Sequence, residues 1–227
     1  VNVILRQALR ADETSLGLSM NKKILGIHHI TAIASDPQAN IDFYSGTLGL
    51  RLVKLTVNFD DPTTYHLYYG DGLGSPGTIM TFFPWPGAPR GRHGAGQVTQ
   101  TAFAIPAGAI SYWTGRLARR GIPFLGPMQR FGEQVISFAD PDGLKIELVT
   151  TARVDAGRAY LGGAIPSEYA IHGLHSATLA EEGYQKTAAL LTGTMGFRLA
   201  GQEDNRFRYA AGGGEPGAVV DVLCVPE

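Results

Sequence analysis

An internal repeat constrains this chain more than any other feature. Residues 26–52 read GIHHITAIASDPQANIDFYSGTLGLRL and residues 173–199 read GLHSATLAEEGYQKTAALLTGTMGFRL, and the two align without a gap at an offset of 147. Gly26 meets Gly173, His28 meets His175, Thr31 meets Thr178, Gly46-Thr47 meets Gly193-Thr194, and Arg51-Leu52 meets Arg198-Leu199. After a shorter loop the match resumes, with Pro76-Gly77-Thr78-Ile79-Met80 against Pro216-Gly217-Ala218-Val219-Val220. Self-similarity at a fixed offset means one supersecondary unit used more than once, each copy burying its apolar face against a neighbour.

Every copy predicts the same order of elements. Ile24–Ala34 reads as an apolar strand. A helix follows, with Ile41, Phe43-Tyr44 and Leu48 at near-helical spacing and Gly49 as its left-handed stop. Three β-type runs complete the unit: Arg51–Val57, Thr64–Tyr69 and Gly77–Phe83. A weaker copy lies between the two strong ones. It has a strand at Val98–Ile105 and a helix at Ala109–Arg120, whose apolar stripe is Ile110, Trp113 and Leu117. Its hairpin runs from Gln134–Phe138 to Leu144–Val149 around Asp140-Pro141-Asp142-Gly143. The expected class is therefore α+β, with three βαβββ modules forming open, cupped mixed sheets. Module one covers residues 20–93, module two 94–152 and module three 170–227. Residues 1–19, ahead of Met20, read as an upstream extension, with a short peripheral helix over Ile4–Ala11 as one expectation.

Composition excludes several classes. Apolar residues at 44% against 17% charged supply a sizeable core. Nineteen Lys and Arg against twenty Asp and Glu give a net charge of −1, so no basic field invites nucleic acid or an anionic membrane. A single cysteine, Cys224, excludes an internal disulfide framework and a multi-cysteine metal cluster. No apolar run approaches the roughly 20 residues of a spanning helix, and residues 1–19 lack the pattern of a secretory signal. A cytoplasmic protein is expected.

Candidate chemistry centres on the first strand. Side chains alternate along a strand, so His28 and His29 are expected on opposite faces, with one entering the cup directly and a strand twist as the route by which its neighbour reaches the rim. The repeat keeps His28 as His175 but replaces His29 by Ser176. A structural role would be retained in both copies, whereas a metal ligand is needed in only some. Four residues past the glycine of each last-strand turn stand Thr81, Glu147 and Asp221, and the matching first-strand slots hold His29, Gln100 and Ser176. His66 and Tyr68 share a face of their strand, in either a pocket or a cross-strand packing role.

Three stretches carry a resemblance to a known family. They are His29 on the first strand, Phe43-Tyr44 with Leu48-Gly49-Leu50, and Asp140-Pro141-Asp142-Gly143-Leu144-Lys145-Ile146-Glu147-Leu148. Together with the repeat they resemble the vicinal oxygen chelate superfamily of glyoxalases, bleomycin-resistance proteins and extradiol dioxygenases. Ile27-His28-His29-Ile30-Thr31, Thr56-Val57-Asn58-Phe59-Asp60-Asp61-Pro62, Thr64-Tyr65-His66-Leu67-Tyr68-Tyr69-Gly70-Asp71 and Phe82-Phe83-Pro84-Trp85-Pro86 are similar to the hydroquinone-type ring-cleaving dioxygenases.

The resemblance implies one divalent metal in a concave sheet, held by first and last strands of paired modules. It implies non-haem Fe(II), with Mn(II) as the alternative, and a small aromatic diol and O2 as reaction partners. His29 is then the ligand, and His28 and Thr31 face the substrate. Two pairings stay open. Modules one and two together would gather His29, Gln100, Glu147 and Thr81, as in a glyoxalase-like metal-dependent lyase or isomerase. Alternatively, modules two and three form a structural half, with Glu147 salt-bridged to an arginine. Module one would then pair with a fourth module beyond residue 227 that supplies the remaining histidine and glutamate. The second pairing is preferred, because modules come in pairs and three is an odd count. It makes this chain a fragment with one of three ligands, inactive alone. A metal-free small-molecule binding module is the third reading. An apolar edge left open would favour a homo-oligomer.

Overall fold

The computed structural model describes residues 2–8, 23–153, 159–160 and 162–225. Among these residues the strands form two sheets. The first contains β1 (Asn2–Ala8), β2 (Lys23–Ala34), β3 (Arg51–Val57), β4 (Tyr65–Gly70) and β5 (Ile79–Pro84), in the order β1-β2-β5-β4-β3. The second contains β6 (Gln97–Pro106), β7 (Phe124–Arg130), β8 (Glu133–Ala139), β9 (Lys145–Thr151), β10 (Leu174–Glu181), β11 (Arg198–Glu203), β12 (Arg206–Ala210) and β13 (Val219–Cys224). Their order is β11-β12-β13-β10-β6-β9-β8-β7. The helices are short. α1 (Pro37–Ile41) runs on into a π-helical turn, Asp42–Thr47, α2 spans Ile110–Arg119, and α3 (Gln185–Ala189) continues as a second π-helical turn. The fold is the expected strand-rich α+β class. No helix among the described residues is long and apolar enough to cross a membrane.

The same pairing scheme occurs three times. A first strand lies parallel to the last strand of its unit, as in β2 with β5, β6 with β9 and β10 with β13. The other two strands add antiparallel beyond it. β6 and β10 then pair antiparallel, which joins two units into the eight-stranded sheet.

β1 corrects an expectation. A helix over Ile4–Ala11 is not formed; Asn2–Ala8 is a strand, antiparallel to β2, with Val3 opposite Ile30 and Ile4 opposite His29. The free edge of β2 offers unpaired N–H and C=O groups that an added strand satisfies, whereas so short an isolated helix is marginal. Residues 9–22, including Met20, lie outside the described residues. β7 was not legible in the sequence, because Gly126-Pro127 interrupts its pattern. It is the outer strand of its sheet, where proline is tolerated, and its register shifts between Leu125 and Met128.

One apolar core joins the two sheets through the helices. Ile27, Ile30, Leu67, Met80 and Phe82 of the first sheet meet Phe43 and Tyr44, then Trp113 and Leu117 of α2, then Phe103, Ile136 and Leu148 of the second sheet. Each fully buried side chain of this size stabilises the fold by about 1.5–3 kcal/mol. The motifs that carried the resemblance serve as struts across this layer. Tyr44 donates from its hydroxyl to Asp140 Oδ2 at 3.0 Å, and the backbone N–H groups of Asp142 and Leu144 bind Asp140 Oδ1 at 2.9 and 2.8 Å. Burial, reinforced by the Asp140 charge, pushes the Tyr44 hydroxyl far above its ordinary pKa.

Two glycines stitch the units together reciprocally. Ile27 N–H donates to the Gly217 carbonyl at 2.6 Å, and Leu174 N–H donates to the Gly77 carbonyl at 2.9 Å. A Cβ on Gly26 would lie 2.4 Å from the Gly217 oxygen, and one on Gly173 would lie 2.9 Å from the Gly77 oxygen. Both glycines hold positive φ, +148° and +116°, which L side chains rarely adopt.

Candidate functional site

Each first strand carries a bulge at the same slot. Between Ile4 and Leu5 of β1, β2 advances from His29 to Ile27, so His28 is the extra residue. In the β6–β10 pair, His175 is extra on β10 and Thr99 is extra on β6. A bulge re-aims the side chain that it inserts. This corrects the alternation argument: His28 does not point away from His29. The two Nδ1 atoms are 3.0 Å apart, and the rings meet edge to face with centroids 5.1 Å apart. The other repeat shows the same geometry, with His175 Nδ1 3.1 Å from Ser176 Oγ.

Beyond the bulge the strand alternates regularly. Ile30, Ala32 and Ala34 enter the core, while His29, Thr31 and Ile33 face the concave side. Thr31 lies opposite Thr81 on β5, and the Thr81 hydroxyl donates to the Thr31 hydroxyl at 2.9 Å. His28, His29 and Thr31 are thus brought together on one surface. Burial, helped by the neighbouring His28, lowers the His29 pKa below its ordinary value. A neutral imidazole at pH 7 keeps a lone pair for a metal or a proton.

Glu147 is not part of that group. It lies on β9 in the eight-stranded sheet, 1% exposed, and Arg130 grips it through two hydrogen bonds of 2.7 and 3.0 Å. The sheets therefore do not bring His29 and Glu147 together. The other carboxylates on this side of the second sheet are held in similar pairs. Asp221, 1% exposed, receives Arg208 Nε and Nη2 at 2.8 and 3.1 Å, and Arg206 Nη1 at 3.3 Å. Arg206 also donates to Thr178 Oγ1 and to Gln100 Oε1. Glu133 accepts from Arg208 at 2.7 Å and from His175 Nε2 at 3.0 Å. Burial would raise the Glu133 pKa, but these two donors outweigh it and hold the carboxyl below the usual range. The slots occupied by Gln100, Glu147 and Asp221 are thus committed to arginines.

Sequence reasoning missed this arginine cluster. Its signal was Arg206-x-Arg208, whose spacing of two puts both side chains on one face of β12, with Arg208 opposite Asp221 across the β12–β13 register. Among the described residues, no group of three or more His, Cys, Asp or Glu side chains is arranged to hold a metal ion. The residues present therefore do not by themselves make the donor set that a 2-His-1-carboxylate site needs.

The repeated βαβββ units, the bulged histidine strand and the cupped sheets define a class. Residues 26–148 match the Glyoxalase/Bleomycin resistance protein/Dioxygenase superfamily, and the chain belongs to it. It is 49% identical over 207 residues to MhqO of Bacillus subtilis, which is named as a candidate ring-cleaving dioxygenase, covering 91% of this chain. It is 32% identical over 208 residues, 90% of this chain, to the chlorohydroquinone/hydroquinone 1,2-dioxygenase of Sphingobium indicum. The chain spans 65% of the length of each of these relatives. A crystal structure of a candidate dioxygenase from Bacillus subtilis is 48% identical, with a TM-score of 0.85 over 90% of this chain and 65% of that one. Glyoxalase I from Zea mays shares the fold, with a TM-score of 0.64 at 15% identity over 88% of this chain and 68% of its own.

Proposed function

We propose that this chain carries the substrate-facing part of a ring-cleaving dioxygenase of extradiol type, acting on hydroquinone- or catechol-like aromatics with O2. One observation carries the reading. His29, half-buried and neutral, stands on the concave face of the five-stranded sheet beside His28 and the Thr31–Thr81 pair, whereas the carboxylates of the other cup are tied to arginines. In this proposal His29 is one donor to a non-haem Fe(II), with Mn(II) as the alternative, and His28 and Thr31 orient the substrate oxygens. The remaining donors belong to a fourth βαβββ module outside these 227 residues, and residues 20–93, 94–152 and 170–227 are the three modules present. The names of the relatives, and the shorter span of this chain against theirs, support that division. In the absence of the other donors the chain does not turn over substrate.

A chimera tests the proposal. The part of MhqO that extends beyond the aligned segment is joined after residue 225, and oxygen uptake with hydroquinone and Fe(II) is followed together with the ring-opened product by mass spectrometry. Uptake by the chimera, none by the chain alone, and loss in the His29→Ala chimera are expected. Turnover that survives His29→Ala, or that proceeds without O2, would contradict the reading.

A further inference from the structure

The arginine pairs do not fill the hollow of the eight-stranded sheet. At one end of its concave face lies a cavity of about 560 Å³, whose lining residues all fall between Ala107 and Val219. None of them belongs to the five-stranded sheet that carries His29. Three guanidiniums line it, those of Arg153, Arg198 and Arg208, against one carboxylate, Glu133.

The registers explain why these groups converge. Arg198 on β11 lies opposite Ala210 on β12, and Ala210 lies opposite Val219 on β13. Arg208 stands two residues before Ala210, so its side chain leaves the same face. Arg153, just past the end of β9, donates from Nη1 to the Gly213 carbonyl at 3.1 Å. Arg198 Nη2 would lie 3.4 Å from a Cβ on the next residue, Gly214. The two exposed guanidiniums thus meet at one turn, while Arg208 is 8% exposed and His175 2%.

The donors left over set the ligand's charge. Of the five N–H groups of Arg208, Glu133 and Asp221 take three and two remain. Arg153 gives one of its own to a carbonyl, an acceptor without charge. The Arg198 side chain has no ion-pair or hydrogen-bond partner among the described residues. Glu133 is held by Arg208 and His175, and the other ring nitrogen of His175 is engaged by Ser176. Guanidinium forks match a carboxylate with two parallel hydrogen bonds. Ala210 and Val219 add apolar wall for a short carbon chain. The volume falls within the roughly 300–1,000 Å³ of small-molecule sites.

Ring cleavage makes an acid of this class. Inserting both atoms of O2 across the bond between a hydroxyl-bearing ring carbon and its hydrogen-bearing neighbour turns the first into a carboxylic acid and the second into an aldehyde, with no other reactant. At pH 7 the diol is neutral, with a phenolic pKa of about 10, and the opened acid is ionised, with a pKa of about 4. Charge alone separates the two.

We propose that this cavity is a binding site for open-chain unsaturated carboxylates, with Arg153 and Arg198 as its clamp. That the natural ligand is a ring-opened product rests on the ring-cleaving reading; the carboxylate site rests on the cavity. Sorbate, a six-carbon dienoic acid, is the probe, and its alcohol, 2,4-hexadien-1-ol, is the neutral control. Each is titrated into the full chain without metal, beside inorganic phosphate, with arginine side-chain resonances followed by NMR. Sorbate is expected to perturb Arg153 and Arg198 and to bind at least about tenfold more tightly than the alcohol, the worth of one charge-assisted hydrogen bond. Arg198→Gln should remove about tenfold of sorbate affinity at unchanged melting temperature and leave the alcohol as it was, and Arg198→Lys should restore part of the loss.

Equal binding of sorbate and its alcohol, phosphate binding as tightly as sorbate, or sorbate affinity unchanged in Arg198→Gln would overturn the proposal. If sorbate fails in one of these ways while the MhqO chimera takes up oxygen, the ring-cleaving reading stands without this site. If sorbate binds as expected and the chimera is inert, the carboxylate site stands and its link to ring cleavage falls.

Discussion

Replacing Arg130 by methionine would strand a buried carboxylate. The Glu147 side chain is 2% exposed and that of Arg130 13%, and two short hydrogen bonds join them. Removing one partner of a buried ion pair costs roughly 3–5 kcal/mol, because the survivor keeps its desolvation penalty and loses its compensation. Arg206 lies within the field of Glu147 and relieves part of the loss, which puts the expected cost at the lower end, about 3 kcal/mol. For a chain of this size that lowers Tm by about 6–12 °C. The double variant Arg130→Met/Glu147→Leu removes the carboxylate as well. Exchange of a whole buried pair for apolar residues is about neutral or stabilising by up to roughly 4 kcal/mol, so the double variant should recover most of the loss. Urea unfolding at pH 7, read with thermal melts, measures both. A single variant that costs less than about 1 kcal/mol, or a double variant no better than the single, would refute the claim that the second cup is closed by a compensated ion pair.

Two further outcomes follow from the same structure. Gly26→Ala should destabilise the fold by more than about 2 kcal/mol, since the added Cβ meets the Gly217 carbonyl in a positive-φ backbone, whereas Gly46→Ala, with open space around it, should stay within about 1 kcal/mol of the parent; equal melting temperatures would contradict the stitching role of Gly26. Glu133 has a folded-state pKa below its unfolded value, so the stability it contributes is present above about pH 4.3 and lost as pH falls below it. The urea midpoint should therefore drop less between pH 7 and pH 3.5 in Glu133→Gln than in the parent, and an equal drop would contradict the assignment.

The order of elements was legible because punctuation recurs at fixed offsets. Gly49 and Gly196 both hold positive φ after the helical turns, and Gly77 and Gly217 hold it before the last strands. Two things were not legible for definite physical reasons. A bulge has no compositional mark, so alternation sent His28 to the wrong face, although His28 and His175 occupy matching slots and both are inserted residues. Cross-strand partners are the other case. Arg206 and Arg208 were visible as residues, but their capture of Asp221 depends on the β12–β13 register, which the sequence does not spell out. His66 and Tyr68 were placed on one face by the same alternation rule, yet only the fold puts Phe83 against the ring and leaves Nε2 buried.

In the proposed reading, metal-binding capacity in this chain resides at His29 on the five-stranded sheet, and the carboxylates Glu147 and Asp221 of the eight-stranded sheet, tied to arginines, are closed to metal. The most direct measurement is a titration of the full chain with Mn(II), following paramagnetic broadening residue by residue in NMR spectra. Weak broadening centred on His28, His29 and Thr31, lost in His29→Ala, with Glu147 and Asp221 unaffected, is the expected result. Tight stoichiometric uptake centred on Glu147 and Asp221, unchanged in His29→Ala, would contradict it.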